Sequence, residues 1–99
     1  MDNSELFEIA LEIQQRLVYL LVKRGLTIYR IEILDLGEDS GIILRVEYTG
    51  MNEEEILEIE IEEIKGRPNF HLSIDPGSYI FKTKNRDKLY KYIKDHLGD

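Results

Sequence analysis

The middle of the chain, from residue 26 to residue 83, carries apolar side chains at nearly every second position. The pattern is sharpest in residues 57–62, where the sequence is LEIEIE. A period of two places successive side chains on opposite faces of an extended strand, so such a strand buries one face and leaves the other in water. This feature constrains the fold most, because it predicts strands over more than half of the chain.

Turn residues divide this region into five predicted strands. Clusters of Gly, Pro, Asn, Asp and Ser fall at 37–41, 49–53, 66–69 and 75–78. The last cluster, Asp75-Pro76-Gly77-Ser78, is typical of a type II turn. Every link between strands is too short for the crossover that parallel neighbours need, so we expect an antiparallel meander.

The alternation slips at two places. Leu34 and Leu36 are apolar on the opposite parity to Ile31 and Ile33, which predicts a β-bulge near Ile33 and Leu34. A second slip is expected just before Ile64. The second strand has no slip, and its predicted inward residues are Ile42, Leu44, Val46 and Tyr48.

A helical period flanks the strands on both sides. Apolar residues recur every three or four positions from Glu5 to Arg24, residues 2–4 all offer capping side chains, and Gly25 can end the helix. A second amphipathic helix is predicted from about Asn85 to Leu97, before Gly98.

These elements predict an α+β fold in the order α-β-β-β-β-β-α. We expect a five-stranded antiparallel sheet with the N-terminal and C-terminal helices on one face, because the strands bury only one side. With 99 residues, residues 1–99 are expected to form a single domain. No apolar run approaches the roughly 20 residues that cross a bilayer, and the N-terminus is acidic, so we expect a cytoplasmic protein without a membrane contact. The chain has no Cys, which excludes disulfides and thiolate chemistry.

Charge is distributed unevenly along the chain. The net charge is −7, and residues 26–65 contain 12 acidic and 3 basic residues. The glutamates of the second and third strands form a candidate partner surface for a basic protein. They are Glu47, Glu58, Glu60 and Glu62. The competing explanation is a solvated strand face whose charges discourage edge-to-edge pairing.

The C-terminal third has the opposite sign, with 7 basic and 4 acidic residues in 66–99. Lys84, Lys88 and Lys91 are predicted to share one helical face, with Tyr92 nearby. This face is the candidate nucleic-acid surface, the alternative function. The competing explanation, which the acidic balance of the whole chain favours, is an exposed helix face whose lysines balance the acidic sheet.

The sequence contains no recognisable catalytic or metal-binding motif. His71, Ser73 and Asp75 are ingredients of a catalytic triad, but they alternate along a strand with Cβ atoms about 7 Å apart, beyond hydrogen-bond reach. His71 and His96 are the only imidazoles and lack zinc-ligand spacing. The acids at 35–39 lack the alternating ligands of a calcium loop. We therefore expect no enzyme, no cofactor and no metal.

The composition is unusual in several respects. The chain has 14 Ile and 13 Leu but one Ala, only two Gln, and the stretch EILEIEIE at 55–62. Many charged residues with few thermolabile ones are typical of hyperthermophiles. In size and composition the chain resembles small proteins of crenarchaeal filamentous and rod-shaped viruses. That resemblance implies a non-enzymatic viral factor. Some proteins of this kind are acidic dimers that block a host defence complex.

The leading hypothesis is a non-catalytic protein-binding module, homodimeric, that engages a basic host protein through its acidic sheet face or an exposed strand edge. Tyrosines and apolar residues left uncovered are candidates for the homodimer interface. An enzyme with a carboxylate site is the third hypothesis, and it requires a concave pocket with paired acids.

Overall fold

The computed structural model of the protein describes residues 2–37, 41–49, 53–77 and 79–98. Two helices and five strands follow one another in the predicted order. Their bounds are α1 Asn3–Lys23, β1 Ile28–Asp35, β2 Ile42–Thr49, β3 Glu54–Ile64, β4 Arg67–Asp75, β5 Tyr79–Thr83 and α2 Arg86–His96.

The five strands form one antiparallel sheet whose order, β1-β2-β3-β4-β5, follows the chain. The period-2 pattern assigns its two faces. In the centre of the sheet, Leu44 of β2 lies opposite Ile59 of β3, which lies opposite Leu72 of β4, and all three are fully buried. The four predicted inward residues of β2 are buried as well, which confirms the pattern.

Both helices cover this buried face of the sheet. α1 packs on β1, β2 and β3, whereas α2 packs on β4 and β5. The core side chains of the helices include Ile13, Leu17 and Leu21 of α1 and Leu89 and Ile93 of α2. Among the described residues, no polar or charged side chain is buried with them. The predicted α+β class, with a five-stranded antiparallel sheet and both helices on one face, is confirmed.

The helix ends follow the expected capping chemistry. Asp2 is the N-cap of α1, where its Oδ1 accepts a hydrogen bond from Glu5 N and Glu5 Oε2 accepts one from Asp2 N, both 3.0 Å long. Gly25 follows α1 with φ of 76°. Asn85 caps α2 by accepting a hydrogen bond from Lys88 N.

The two strand irregularities predicted from the slips in alternation, near Ile33 and Leu34 and before Ile64, are wrong. The register irregularity lies between Ile28 and Arg30, at Tyr29, and the β1–β2 pairing continues undisturbed through Ile33 and Leu34. The β3–β4 pairing is likewise continuous through Ile64. Leu34 and Ile64 are exposed apolar residues on the face without helices. An analysis of alternation alone assigns these two residues to the buried face, but single apolar residues are common on protein surfaces.

The turns also differ from the prediction. β4 begins at Arg67, and Pro68 lies within it, paired with Glu63. The hairpin turn is Lys65-Gly66, where both residues have positive φ, as in a type I′ turn. The Asp75–Pro76 peptide bond is cis. Ser78 of the predicted type II turn lies outside the described residues, as do residues 38–40 and 50–52 of two other predicted turns.

Candidate functional site

The face of the sheet without helices, called the open face below, carries the alternate side chains of each strand. In β2 and β3 these are the residues between the buried ones. The predicted partner-surface residues all lie on it. Glu47, Glu58 and Glu60 each stand between two buried residues of their strand, and Glu62 follows buried Ile61. The sheet thus holds these glutamates on the side that no helix covers.

The register interleaves the central glutamates with basic residues. Arg45 of β2 lies opposite Glu58, with its Nη1 3.7 Å from Glu58 Oε1. Glu60 lies opposite His71, which in turn lies opposite Lys82. The Arg45–Glu58 pair reduces the local negative potential, so the middle of the open face is less anionic than the strand sequence alone indicates.

An excess of negative charge lies at one end of the sheet, in an open cleft of about 560 Å³, where Arg30 lies opposite only one of the carboxylates, that of Glu47. Four carboxylates and one guanidinium line it, and we call it the acidic cleft. Its charged residues are Glu47, Glu54, Glu55, Asp75 and Arg30. The carboxylates come from three strands, because β2 and β4 end where β3 begins. The sheet register, rather than any sequence motif, brings these residues together.

Both helices end at the same end of the sheet. α1 ends at Lys23, five residues before β1 begins. Arg24 Nη2 donates a hydrogen bond to Gly98 O, 3.2 Å away, which ties the end of α1 to the end of α2. A helix C-terminus carries a partial negative charge of about half a unit. The end of α2 reaches the acidic cleft through His96, which contacts Glu55.

A partly buried polar cluster holds one carboxylate of the cleft in place. The Tyr48 hydroxyl donates a 2.8 Å hydrogen bond to Glu55 Oε1. His96 Nε2, at the end of α2, lies 3.3 Å from both Glu55 oxygens. Burial, followed by the hydrogen bond to Glu55 and its negative charge, raises the pKa of Tyr48 well above its usual value. Tyr48 therefore stays protonated and acts as a donor that positions Glu55.

The chemistry of the cleft favours organic cations. Carboxylates around an open cleft accept hydrogen bonds from ammonium and guanidinium groups. Tyr29 adds a half-exposed ring at the cleft, and its hydroxyl accepts a 2.5 Å hydrogen bond from Thr49 Oγ1. Within the described ranges, no group of three or more His, Asp or Glu side chains is arranged to hold a metal ion.

The residues of the alternative, nucleic-acid surface do not form one helical face. Lys84 precedes α2, which begins at Arg86, so that part of the prediction is wrong. Lys91 Nζ lies 2.9 Å from Asp95 Oδ2. The ring of Tyr92 is stacked on Phe81, with centroids 4.4 Å apart and planes at 8°. Lys88 is exposed on α2. An aromatic ring that already stacks within the protein offers one face fewer to a base.

His71, Ser73 and Asp75 lie at alternate positions of β4 on the open face, as predicted. Their paired neighbours on β3 are Glu60, Glu58 and Ile56 respectively. Asp75 belongs to the acidic cleft, whereas His71 lies opposite a central glutamate. No sequence pattern places Asp75 in the same cleft as Glu47, because the two are 28 positions apart and only the register of three strands, with Ile56 between them, brings them to one end of the sheet.

No protein-family model, curated protein or solved structure matches this chain significantly. In the part of the chain that the structure describes, neither helix combines the length and apolar character needed to cross a membrane.

Proposed function

We propose that the protein is a non-catalytic protein-binding module that engages a basic partner protein through the open face of its sheet. The acidic cleft receives lysine or arginine side chains of that partner, and the adjoining Glu58, Glu60 and Glu62 extend the contact. One observation carries the proposal: at one end of the sheet, four carboxylates and one guanidinium of the described residues line an open cleft, and three of the carboxylates, Glu47, Glu54 and Asp75, lie on the open face.

The energetics favour recognition and attraction of a cationic surface. Two opposite charges 4 Å apart near a protein surface interact by roughly 4 kcal/mol before the cost of desolvation. A cation in the cleft lies close to several carboxylates. Complementary charge of this kind mainly raises the association rate and selects the partner, and its effect falls as salt rises.

The resemblance to small crenarchaeal viral proteins gives this proposal a biological setting. In that setting the basic partner is a component of a host defence complex in the host cytoplasm, and the protein blocks it without chemistry. Proteins that handle nucleic acids have basic surfaces, so an acidic face competes for them.

The test compares two variants that remove the same charge from the same face. The cleft variant is Glu47→Gln/Glu54→Gln/Asp75→Asn, and the control is Glu58→Gln/Glu60→Gln/Glu62→Gln. Glu55 is left unchanged because it binds Tyr48. The probe is a pentalysine peptide, titrated at low salt and followed by backbone amide chemical shifts.

We expect the largest shifts of the wild type at the cleft. If each lost carboxylate contributes about 0.5 kcal/mol, the cleft variant binds about tenfold more weakly. The control is expected to lose less, because Arg45 already pairs with Glu58. Equal weakening in both variants, or in neither, contradicts the proposed role of the cleft.

A second measurement addresses protein partners. Proteins captured from a host lysate by the wild type are compared with those captured by each variant. Basic proteins retained by the wild type and the control but lost with the cleft variant support the proposal. Identical partners for all three proteins contradict it.

A further inference from the structure

The two edge strands of the sheet are not equivalent. β5 has 5 residues and carries Lys82. β1 has 8 residues and contains neither Lys nor Pro. Natural sheets protect their edges with short strands, lysine, proline or bulges, and the bulge at Tyr29 affects only one end of β1. β1 is therefore the edge that this protein leaves open for pairing.

A second apolar stripe on α1 runs beside the one that packs in the core. Phe7, Leu11 and Val22 are 40%, 38% and 62% exposed, and Val18 is half-buried. At 3.6 residues per turn, these four side chains fall within roughly 60° of one another around the helix. They form a narrow apolar line that the described chain covers only at Val18.

This stripe lies on the side of α1 away from α2. Glu12 contacts Arg86 of α2, and the Arg16 guanidinium lies 5.7 Å from the centre of the Tyr90 ring. At about 100° per residue, Phe7 points roughly 140° away from Glu12. On the side of α1 away from α2, Asn3 Nδ2 donates hydrogen bonds to Asp35 Oδ1, at the end of β1, and to Gly37 O, just after it.

The stripe and the free edge therefore form one continuous flank, because α1 covers β1 and α2 covers the opposite edge. We call it the β1 flank. It consists of strand β1 and the α1 residues Phe7, Leu11, Val18 and Val22. Exposed Leu34, on the open side of β1, extends its apolar surface.

We propose that the β1 flank is a homodimer interface in which β1 pairs antiparallel with β1 of a second copy, about a two-fold axis at Ile31. Both sheets then join into one, and the apolar stripes of the two α1 helices face each other above the junction. This interface adjoins the partner contact proposed above, since Arg30 of β1 also lines the acidic cleft, and it leaves both acidic clefts on the same side of the joined sheet.

Charge selects the second copy and its register. Arg30 and Glu32 lie on the open face and contact each other within the strand. A two-fold axis at Ile31 places Arg30 opposite Glu32 of the second copy, and the reverse by symmetry. An axis at Glu32 instead places two glutamates directly opposite each other, which is destabilising. β1 is thus self-complementary, as an isologous interface requires.

The test is a charge swap read by sedimentation equilibrium. The monomer mass is 11.7 kDa, and we expect the wild type to sediment at twice that mass at about 100 μM, within the usual range of specific association. Arg30→Glu and Glu32→Arg each create like-charge pairs at both symmetric contacts, so each variant alone is expected to weaken dimerisation at least about tenfold. The double variant Arg30→Glu/Glu32→Arg restores dimerisation.

The two single variants offer an internal control for folding. Mixed together, they are complementary, so a heterodimer is expected from two proteins that are each monomeric. Leu11→Lys in the stripe is expected to weaken the dimer, whereas Ile80→Lys, an equally drastic change on exposed β5, is not. Far-ultraviolet circular dichroism verifies that each variant is folded.

Several outcomes overturn the inference. A wild type that is monomeric at about 100 μM shows that the flank does not bind a second copy and leaves an extended segment of another protein as its occupant. A dimer that neither charge variant nor Leu11→Lys weakens lies elsewhere on the molecule. Pentalysine binding is measured separately, so failure of the dimer and failure of the cleft proposal are distinguishable.

Discussion

Replacing Tyr48 by Phe removes one hydroxyl group from the cluster that positions Glu55. The Tyr48 side chain has no exposed surface, and Glu55 is 15% exposed. A hydrogen bond to a charged group contributes about 1.5–3 kcal/mol. Glu55 keeps His96 as a neighbour, so we expect Tyr48→Phe to lower the free energy of unfolding by about 2 kcal/mol at pH 8.

The same hydroxyl makes this loss depend on pH. Because burial raises the pKa of Tyr48 in the folded protein, the folded state retains its proton when the unfolded chain has lost it. The stabilisation is complete below the unfolded pKa of about 10 and decreases above it, by about 1.4 kcal/mol at pH 11. The difference between wild type and Tyr48→Phe should shrink from about 2 to about 0.6 kcal/mol over this range.

Urea denaturation at pH 8 and pH 11, followed by circular dichroism, measures both values. Burial also raises the pKa of Tyr90, but that group is present in both proteins and cancels in the difference. Tyr19→Phe is the matched control, since its ring is 55% exposed. We expect it to change stability by less than about 0.5 kcal/mol. A wild-type advantage that is the same at pH 8 and pH 11 refutes the reasoning.

Three further predictions concern stability and the alternative function. Gly41→Ala is expected to lower the free energy of unfolding by about 3 kcal/mol or more, because the added Cβ would lie 2.4 Å from Ile61 O. Gly37→Ala is expected to cost only about 1 kcal/mol, because Gly37 has a positive φ but open space around it. Urea midpoints compare the two variants, and equal losses would argue against the steric cause. Ile59→Ala should lower the free energy of unfolding by about 3 kcal/mol and Ile64→Ala by less than about 1 kcal/mol, because Ile59 is buried and Ile64 is exposed. A lower melting temperature for Ile64→Ala than for Ile59→Ala would show that the two faces of the sheet are wrongly assigned. A low-salt gel shift with DNA and RNA should show no retardation, and clear retardation would restore the nucleic-acid alternative.

The fold is predictable from the sequence because most strand residues have one clear environment. Leu57 and Ile59 are buried and Glu58 between them is not, so polarity and parity agree at each position. Exceptions arise where an apolar side chain faces water, as Leu34 and Ile64 do. There, parity analysis infers a bulge that the backbone does not contain.

The site is less predictable than the fold. Alternation places the partner-surface glutamates on the open face, but the pairing of Glu58 with Arg45 depends on strand register. The acidic cleft and the contact of Glu55 with His96 join residues from distant parts of the chain. The exposed stripe of α1 satisfies the same three- and four-residue spacing as its buried stripe, and no local rule states which one the sheet covers.

The strands lie in the sheet in the same order as in the chain, and this has a consequence for the folding rate. Each strand pairs only with its sequence neighbours, so every pairing is a hairpin, and an isolated hairpin closes in about 1–10 μs. No long loop must be ordered before a pairing stabilises it, which favours rapid folding for a protein so rich in sheet. A chain emerging from the ribosome can therefore complete β1, β2 and β3 and cover them with α1 before β5 has been synthesised.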